Sequence, residues 1–311
     1  QWDAASLDVV ETGPLVARVL MRVRVGESRV RVDCQLRADS PWLELTCSVA
    51  WRQTHELLRL EVPLAQAAIR WAADTSGGVI TRPARPCTPG EQMRWELPVI
   101  SWCATEAASP GGGLAMLLDG PQGVDVTPDR LGVSLVRGAT WPDPGADRGW
   151  HRQRLALMPA SQGWCRGGIP QAAIAFREPG WWGPAGLADA EQWLPPLPNG
   201  LVPVAVGMPR DAGPSGTPST GLRMRVLNPG ASRQPWCPQG WVIRRREESV
   251  DSKQPVDSKQ PVDLKQSVDP NAAADCDCGT ACNEAEGIVF RPGELVEVVL
   301  TPLQEHLDQS S

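Results

Sequence analysis

The strongest constraint on this chain is a two-residue alternation through residues 18–64. In Arg18-Val19-Leu20-Met21-Arg22-Val23-Arg24-Val25, the residues Val19, Met21, Val23 and Val25 share one face, and Arg18, Arg22 and Arg24 share the other. Gly26-Glu27-Ser28 reads as a turn, after which Val30, Val32, Cys34 and Leu36 alternate with Arg29, Arg31, Asp33, Gln35 and Arg37. Leu43, Leu45, Cys47, Val49 and Trp51 mark a third strand, and Leu58, Leu60, Val62 and Leu64 a fourth. Side chains alternate across a strand and spiral around a helix, so this pattern predicts antiparallel hairpins with one packed and one wet face.

Further short strands are expected at 93–99, 114–118, 131–136, 153–158, 172–176, 202–206, 222–227, 240–245 and 295–300. The 30 Gly and 31 Pro punctuate nearly every gap, and no long 3.6-residue apolar stripe interrupts the pattern. The expected fold is all-β: a large antiparallel β-sandwich with a disordered insertion near the C-terminus. The main sandwich is expected over 8–180, with continuing strands of the same or a small accessory sheet over 181–246. A disordered insertion follows over 247–285, and a terminal strand returns to the fold over 286–303.

The insertion is a decaying hexad. Val250-Asp251-Ser252-Lys253-Gln254-Pro255 recurs as Val256-Asp257-Ser258-Lys259-Gln260-Pro261, then fades. So short a polar repeat builds no core, and Pro blocks regular pairing. Cys276, Cys278 and Cys282 follow it, at a spacing that matches no common structural zinc site. No metal ligand is assigned.

A net charge of -6 argues against nucleic acid or an anionic membrane as the main partner. No apolar run reaches the ~20 residues needed to span a bilayer. The sequence starts at Gln1 without a leader, so it is expected to begin inside a longer polypeptide or to have been trimmed. With no export signal, a reducing cytoplasm and free thiols are expected; Cys34 and Cys47 read as small buried hydrophobes.

Aromatic usage is skewed to 14 Trp against 2 Phe and no Tyr. Trp serves as a platform for sugar rings or as core filler, and its positions on predicted strands favour filler. His55, His151 and His306 lie far apart, and no Gly-X-Ser-X-Gly elbow is present. Gly111-Gly112-Gly113 reads as a hairpin turn. Asp119-Gly120-Pro121-Gln122-Gly123 follows the apolar strand 114–118. An acid there is well placed for sugar hydroxyls, and also reads as a turn Asp capping its loop.

Several segments in order carry a family resemblance: Val10-Glu11-Thr12-Gly13-Pro14-Leu15, Asp39-Ser40-Pro41-Trp42, Trp51 to Leu60 with His55, Arg82-Pro83-Ala84-Arg85-Pro86, and Trp95-Glu96-Leu97-Pro98. Leu114 to Asp119 and the Pro-Asp-rich loop from Arg137 to His151 complete the series. Over about residues 8–180 the order and spacing resemble the C-terminal region of class II α-mannosidases, glycoside hydrolase family 38, of the bacterial and cytosolic subgroup.

The resemblance implies a galactose-mutarotase-like supersandwich. It implies retaining hydrolysis by two carboxylates beside a zinc ion, all held in a catalytic domain that nothing here matches. Zinc is therefore not expected on this chain, and no catalytic residue is carried over. Asp119 is the candidate substrate contact, although the Gly120–Gly123 loop departs from relatives that carry a basic residue and an aromatic there. Arg137 and His151 match family positions and read as loop-packing residues. The implied partners are a mannoside or oligosaccharide substrate and the catalytic half of an α-mannosidase, from the same precursor or a neighbouring gene. The chain alone is expected to be inactive. The alternatives are a stand-alone carbohydrate-binding sandwich and an inactive split-gene relic.

Overall fold

The computed structural model describes residues 4–76, 78–109, 111–178, 195–207, 221–245 and 287–302. The chain divides into two compact units, Gln1–Pro184 and Ala185–Ser311. The hexad repeat, Cys276, Cys278, Cys282 and His306 lie outside the described residues.

The first unit is built from β1 (Ala4–Thr12), β2 (Val16–Val25), β3 (Ser28–Arg37), β4 (Leu43–Trp51), β5 (Leu57–Pro63), β6 (Ala68–Thr75) and β7 (Gly78–Pro83). A one-turn α1 (Pro89–Gln92) leads to β8 (Leu97–Val99), β9 (Trp102–Ala107), β10 (Leu114–Leu118), β11 (Gln122–Thr127), β12 (Arg130–Arg137) and β13 (Gly149–Pro159). Two helices close it, α2 (Gly163–Arg166) and α3 (Ile169–Arg177). Nine strands form one sheet in the order β1-β2-β3-β4-β13-β10-β9-β6-β7, and four form a second in the order β5-β12-β11-β8. Every pairing is antiparallel.

One core lies between the two sheets. Val23, Val30, Val32, Cys47, Val49 and Trp51 enter it from the large sheet, and Val124, Leu131, Val133 and Val99 from the small one. Each fully buried large aliphatic or aromatic side chain contributes roughly 1.5–3 kcal/mol. The register is fixed by this core, because a one-residue slip would turn the buried set outward. The chain passes from the small sheet to the large at Ile100-Ser101, between β8 and β9. There Asp74, at the end of β6, accepts the backbone N–H groups of Ile100 (3.1 Å), Ser101 (2.9 Å) and Trp102 (3.1 Å), and the Ser101 hydroxyl.

The outer face of the large sheet is divided. Over β9, β10 and part of β13 it is covered by α3, whose Ile169, Ala172, Ala173 and Phe176 pack with Trp102, Ala104, Ala115 and Leu117. Over β2, β3 and the start of β13 it is wet, with Arg22, Arg24, Arg29, Arg31 and Arg152 all exposed.

The second unit holds β14 (Val202–Gly207), β15 (Leu222–Leu227), β16 (Gln234–Trp236), β17 (Trp241–Arg245), β18 (Ile288–Phe290) and β19 (Leu295–Pro302). Four of them form an antiparallel sheet in the order β14-β15-β19-β17, and β16 pairs with β18. Leu201, Met224, Val226, Trp236, Phe290, Val298 and Leu300 make its core. The buried Asn228 amide donates to the carbonyls of Ser232 (2.8 Å) and Phe290 (3.1 Å), so its polar atoms are satisfied.

Two sequence expectations are corrected. The strand expected at 172–176 is part of α3: its buried residues recur at 169, 172, 173 and 176, a helical spacing, after Gly168 at φ +66° and a Pro in the first turn. The strand expected at 93–99 is confined to Leu97–Val99, because Thr88 and Glu91 form a capping box that starts α1 and Met93 closes it. Strands β1, β6, β7, β9, β11, β16 and β18 were not anticipated.

Candidate functional site

Strand β10 is apolar and has four fully buried positions, Ala115 to Leu118, because both its faces are covered, one by the small sheet and one by α3. The first residue beyond that burial is Asp119, whose backbone N–H donates to the Arg154 carbonyl at 3.2 Å. Burial along the strand therefore fixes where the carboxylate emerges.

Arg154, on β13, organises the surroundings of Asp119. Its Nη1 donates to Asp119 Oδ2 at 3.4 Å, its Nε to Glu44 Oε1 at 3.1 Å and its Nη2 to the Phe176 carbonyl at 3.5 Å. The guanidinium carbon lies 4.7 Å from the centroid of the Phe176 ring, a cation–π contact. Phe176 meets Trp42 edge-on at 6.1 Å. The Asp119 side chain is 39% exposed, so lone pairs remain open to a hydroxylated ligand. The arrangement accepts and orients hydrogen bonds. Glu44 and Asp119 both accept from one guanidinium, which suits binding rather than proton transfer at a glycosidic bond.

The Pro-Asp-rich loop after β12 is laced to the loop carrying His55. Gly138 N–H donates to the Glu56 carbonyl at 2.9 Å, and His55 N–H donates to the Gly138 carbonyl at 2.7 Å. A Cβ on Gly138 would lie 2.5 Å from the Gln53 carbonyl oxygen, so only glycine permits this approach. Trp141-Pro142 is a cis peptide. His151 Nε2 lies 2.6 Å from the Asp147 carbonyl, and His55 Nε2 lies 3.5 Å from the Thr140 hydroxyl. Arg137 is exposed at the end of β12. His151 thus ties the loop to itself and His55 ties it to the neighbouring loop, whereas Asp119 is grouped with Arg154 and Glu44.

Sequence reasoning missed a charged network on the outer face of the small sheet. Arg59 of β5 donates to both Glu96 and Asp125, and Ser134 also donates to Glu96. Arg130 reaches Asp125 at 3.1 Å and Glu61 at 3.0 Å. The sequence signal was alternation within β5 and β12, but the partners lie as far as 66 residues apart.

Thiols divide by depth. Burial pushes the Cys47 and Cys103 thiols up to about 12, whereas Cys87 is exposed. No three His, Cys, Asp or Glu side chains converge as a metal site among the described residues. No helix among the described residues is long and apolar enough to cross a membrane.

Residues 2–145 match the glycosyl hydrolases family 38 C-terminal domain. The chain is 29% identical to human alpha-mannosidase 2C1 over 152 residues, 49% of this chain and 14% of that protein. It is 25% identical to alpha-mannosidase G of Dictyostelium discoideum over 173 residues, 53% of this chain and 15% of that protein. An alpha-mannosidase structure from Enterococcus faecalis V583 superposes with a TM-score of 0.54 at 14% identity, over 96% of this chain and 35% of that one. The likeness to that structure is one of fold. The chain spans about one-seventh of the length of the curated relatives it matches.

Proposed function

Because residues 2–145 match the family 38 glycosyl hydrolase C-terminal domain, we propose that this chain is the C-terminal β-sandwich portion of an α-mannosidase. In this reading it buttresses a catalytic portion, supplied by the same precursor or a neighbouring gene, and closes one wall of its sugar pocket. The family match carries the proposal, and the continuous thirteen-strand sandwich behind it supports it. We assign the nucleophile, the general acid and the zinc to that other portion. Asp119 is the contact to a mannoside or oligosaccharide: it is exposed, anchored by β10 and oriented by Arg154. We place this work in a reducing cytoplasm, in keeping with the free thiols among the described residues.

Assembly and contact are tested together. Mixed with a catalytic α-mannosidase portion at micromolar concentration, the chain is expected to co-elute as one complex. In that complex Asp119→Ala is expected to raise KM for mannoside by about tenfold, the loss of one hydrogen bond to a charged group. Failure to co-elute contradicts the buttressing role, and an unchanged KM contradicts the contact.

A further inference from the structure

The wet half of the large sheet's outer face carries an arrangement that the α-mannosidase reading does not use. In the register of β2 and β3, Arg22 stands directly opposite Arg31, and Arg24 directly opposite Arg29. Like charges directly opposite on one face of a sheet destabilise it. Arg22 pairs with Asp8, and Arg31 reaches Asp33 at 3.4 Å. Arg24 donates to the Gly26 carbonyl at 3.1 Å, and among the described residues Arg24, Arg29 and Arg152 have no carboxylate partner. The local excess of positive charge occurs on a chain whose net charge is -6, so it does not follow from composition.

The register also gives this surface a shape. Arg31 is opposite Ser48 and Arg29 opposite Ala50. On the far side of β4, Ser48 is opposite Arg152 and Ala50 opposite Trp150. Two small residues therefore floor a trough, with Arg29 and Arg31 on one wall and Trp150 and Arg152 on the other. The walls stand two strand spacings apart, about 9.6 Å, and the trough is part of an open depression of about 730 Å³ that continues past Arg29 over β2 and β1, where Arg22, Arg24 and Ser6 also line it. Trp150 is 80% exposed, an expensive position for an indole without a partner. A trough of that width admits a sugar ring laid with its C–H face on the indole. Guanidinium groups at such spacing take carboxylate or sulfate oxygens in bidentate fashion.

We propose that this trough binds an anionic oligosaccharide, with a ring on Trp150 and its acidic substituents on Arg24, Arg29 and Arg152. The exposed aromatic favours a glycan over an acidic protein surface, which would need the arginines alone. The site lies wholly within the first unit and involves no hydrolysis, so it stands or fails separately from the α-mannosidase reading.

The test is calorimetric binding of three probes to the full 311-residue chain: a heparin-derived hexasaccharide, neutral mannohexaose and a polyglutamate peptide of matched charge. The sulfated hexasaccharide is expected to bind in about 50 mM salt and to weaken steeply towards about 500 mM. Arg29→Ser, Arg152→Ser and Trp150→Ala are each expected to weaken it by about tenfold or more. Arg24→Ser/Arg29→Ser is expected to keep or raise the melting temperature, since it removes an opposed pair. Mannohexaose is expected to show no binding that Trp150→Ala or Arg29→Ser weakens. No binding of the sulfated probe overturns the proposal, as does binding that ignores the arginine substitutions. Equally tight polyglutamate binding that Trp150→Ala leaves unchanged also overturns it, and would assign the face to an acidic protein.

Discussion

Asp74 offers the sharpest test of how the two sheets are joined. Its carboxylate collects the N–H groups of Ile100, Ser101 and Trp102, and the Ser101 hydroxyl, where the chain crosses from β8 to β9. Val99 and Trp102, on either side, are buried at 0% and 2% exposure, so the crossing cannot relax without disturbing the core. Each hydrogen bond to a charged acceptor is worth roughly 1.5–3 kcal/mol when both partners are desolvated. Asp74 is only partly buried, so water recovers some of what Asp74→Ala removes. The expected cost is about 3 kcal/mol, or roughly 6–12 °C in the melting temperature of a unit this size. Asp74→Asn keeps one acceptor oxygen and is expected to cost about half as much. Ser101→Ala isolates the hydroxyl at about 1 kcal/mol. Urea unfolding followed by tryptophan fluorescence reads all three, with the slope checked for constancy. An Asp74→Ala variant within about 0.5 kcal/mol of the parent would refute the argument that this carboxylate pins the crossing.

Three further outcomes follow from the same geometry. Gly138→Ala forces a Cβ towards the Gln53 carbonyl and is expected to lower stability by about 1–3 kcal/mol, read by the same unfolding experiment. The Arg18 guanidinium, hydrogen-bonded at 2.5 and 2.7 Å, holds the Asp33 carboxyl below its ordinary range. A lowered folded pKa contributes stability that is full above about pH 4 and lost as pH falls through the folded value. Asp33→Asn is therefore expected to flatten the acid limb of the stability profile and to lower the neutral plateau. Thiol labelling of the native chain near pH 8, read site by site by mass spectrometry, is expected to modify Cys87. It is expected to spare Cys47 and Cys103, whose thiols burial pushes up to about 12.

Local periodicity made much of the sandwich legible. The β2–β3–β4 meander follows directly from alternation, and its buried set of Val23, Val30, Val32, Cys47 and Val49 is the apolar face read from the chain. Strand β10 stood out as an uninterrupted apolar run. Helix α3 was missed because nine residues rich in alanine give a weak stripe beside a strand-like Ile-Ala-Phe run. β9 was missed because Trp102, Cys103, Ala104 and Thr105 are all buried, so nothing alternates. At the candidate site the position of Asp119 was legible, since an acid ending an apolar strand must emerge from the core. Its partners were not: Arg154 and Glu44 arrive from 35 and 110 residues' separation along the chain from Asp119 and Arg154 respectively. The arginine trough shows the same limit. Each strand announced a charged face, but only the register sets Arg22 against Arg31 and leaves Ser48 and Ala50 as a floor.

The central claim is that this sandwich works as part of an α-mannosidase. The direct measurement is release of 4-nitrophenol from 4-nitrophenyl α-mannoside, with zinc present, by the chain alone and by the chain combined with a catalytic portion. The account predicts no turnover from the chain alone, and turnover from the combination that exceeds that of the catalytic portion by itself. A folded complex with no gain, or hydrolysis by the isolated chain, would contradict it.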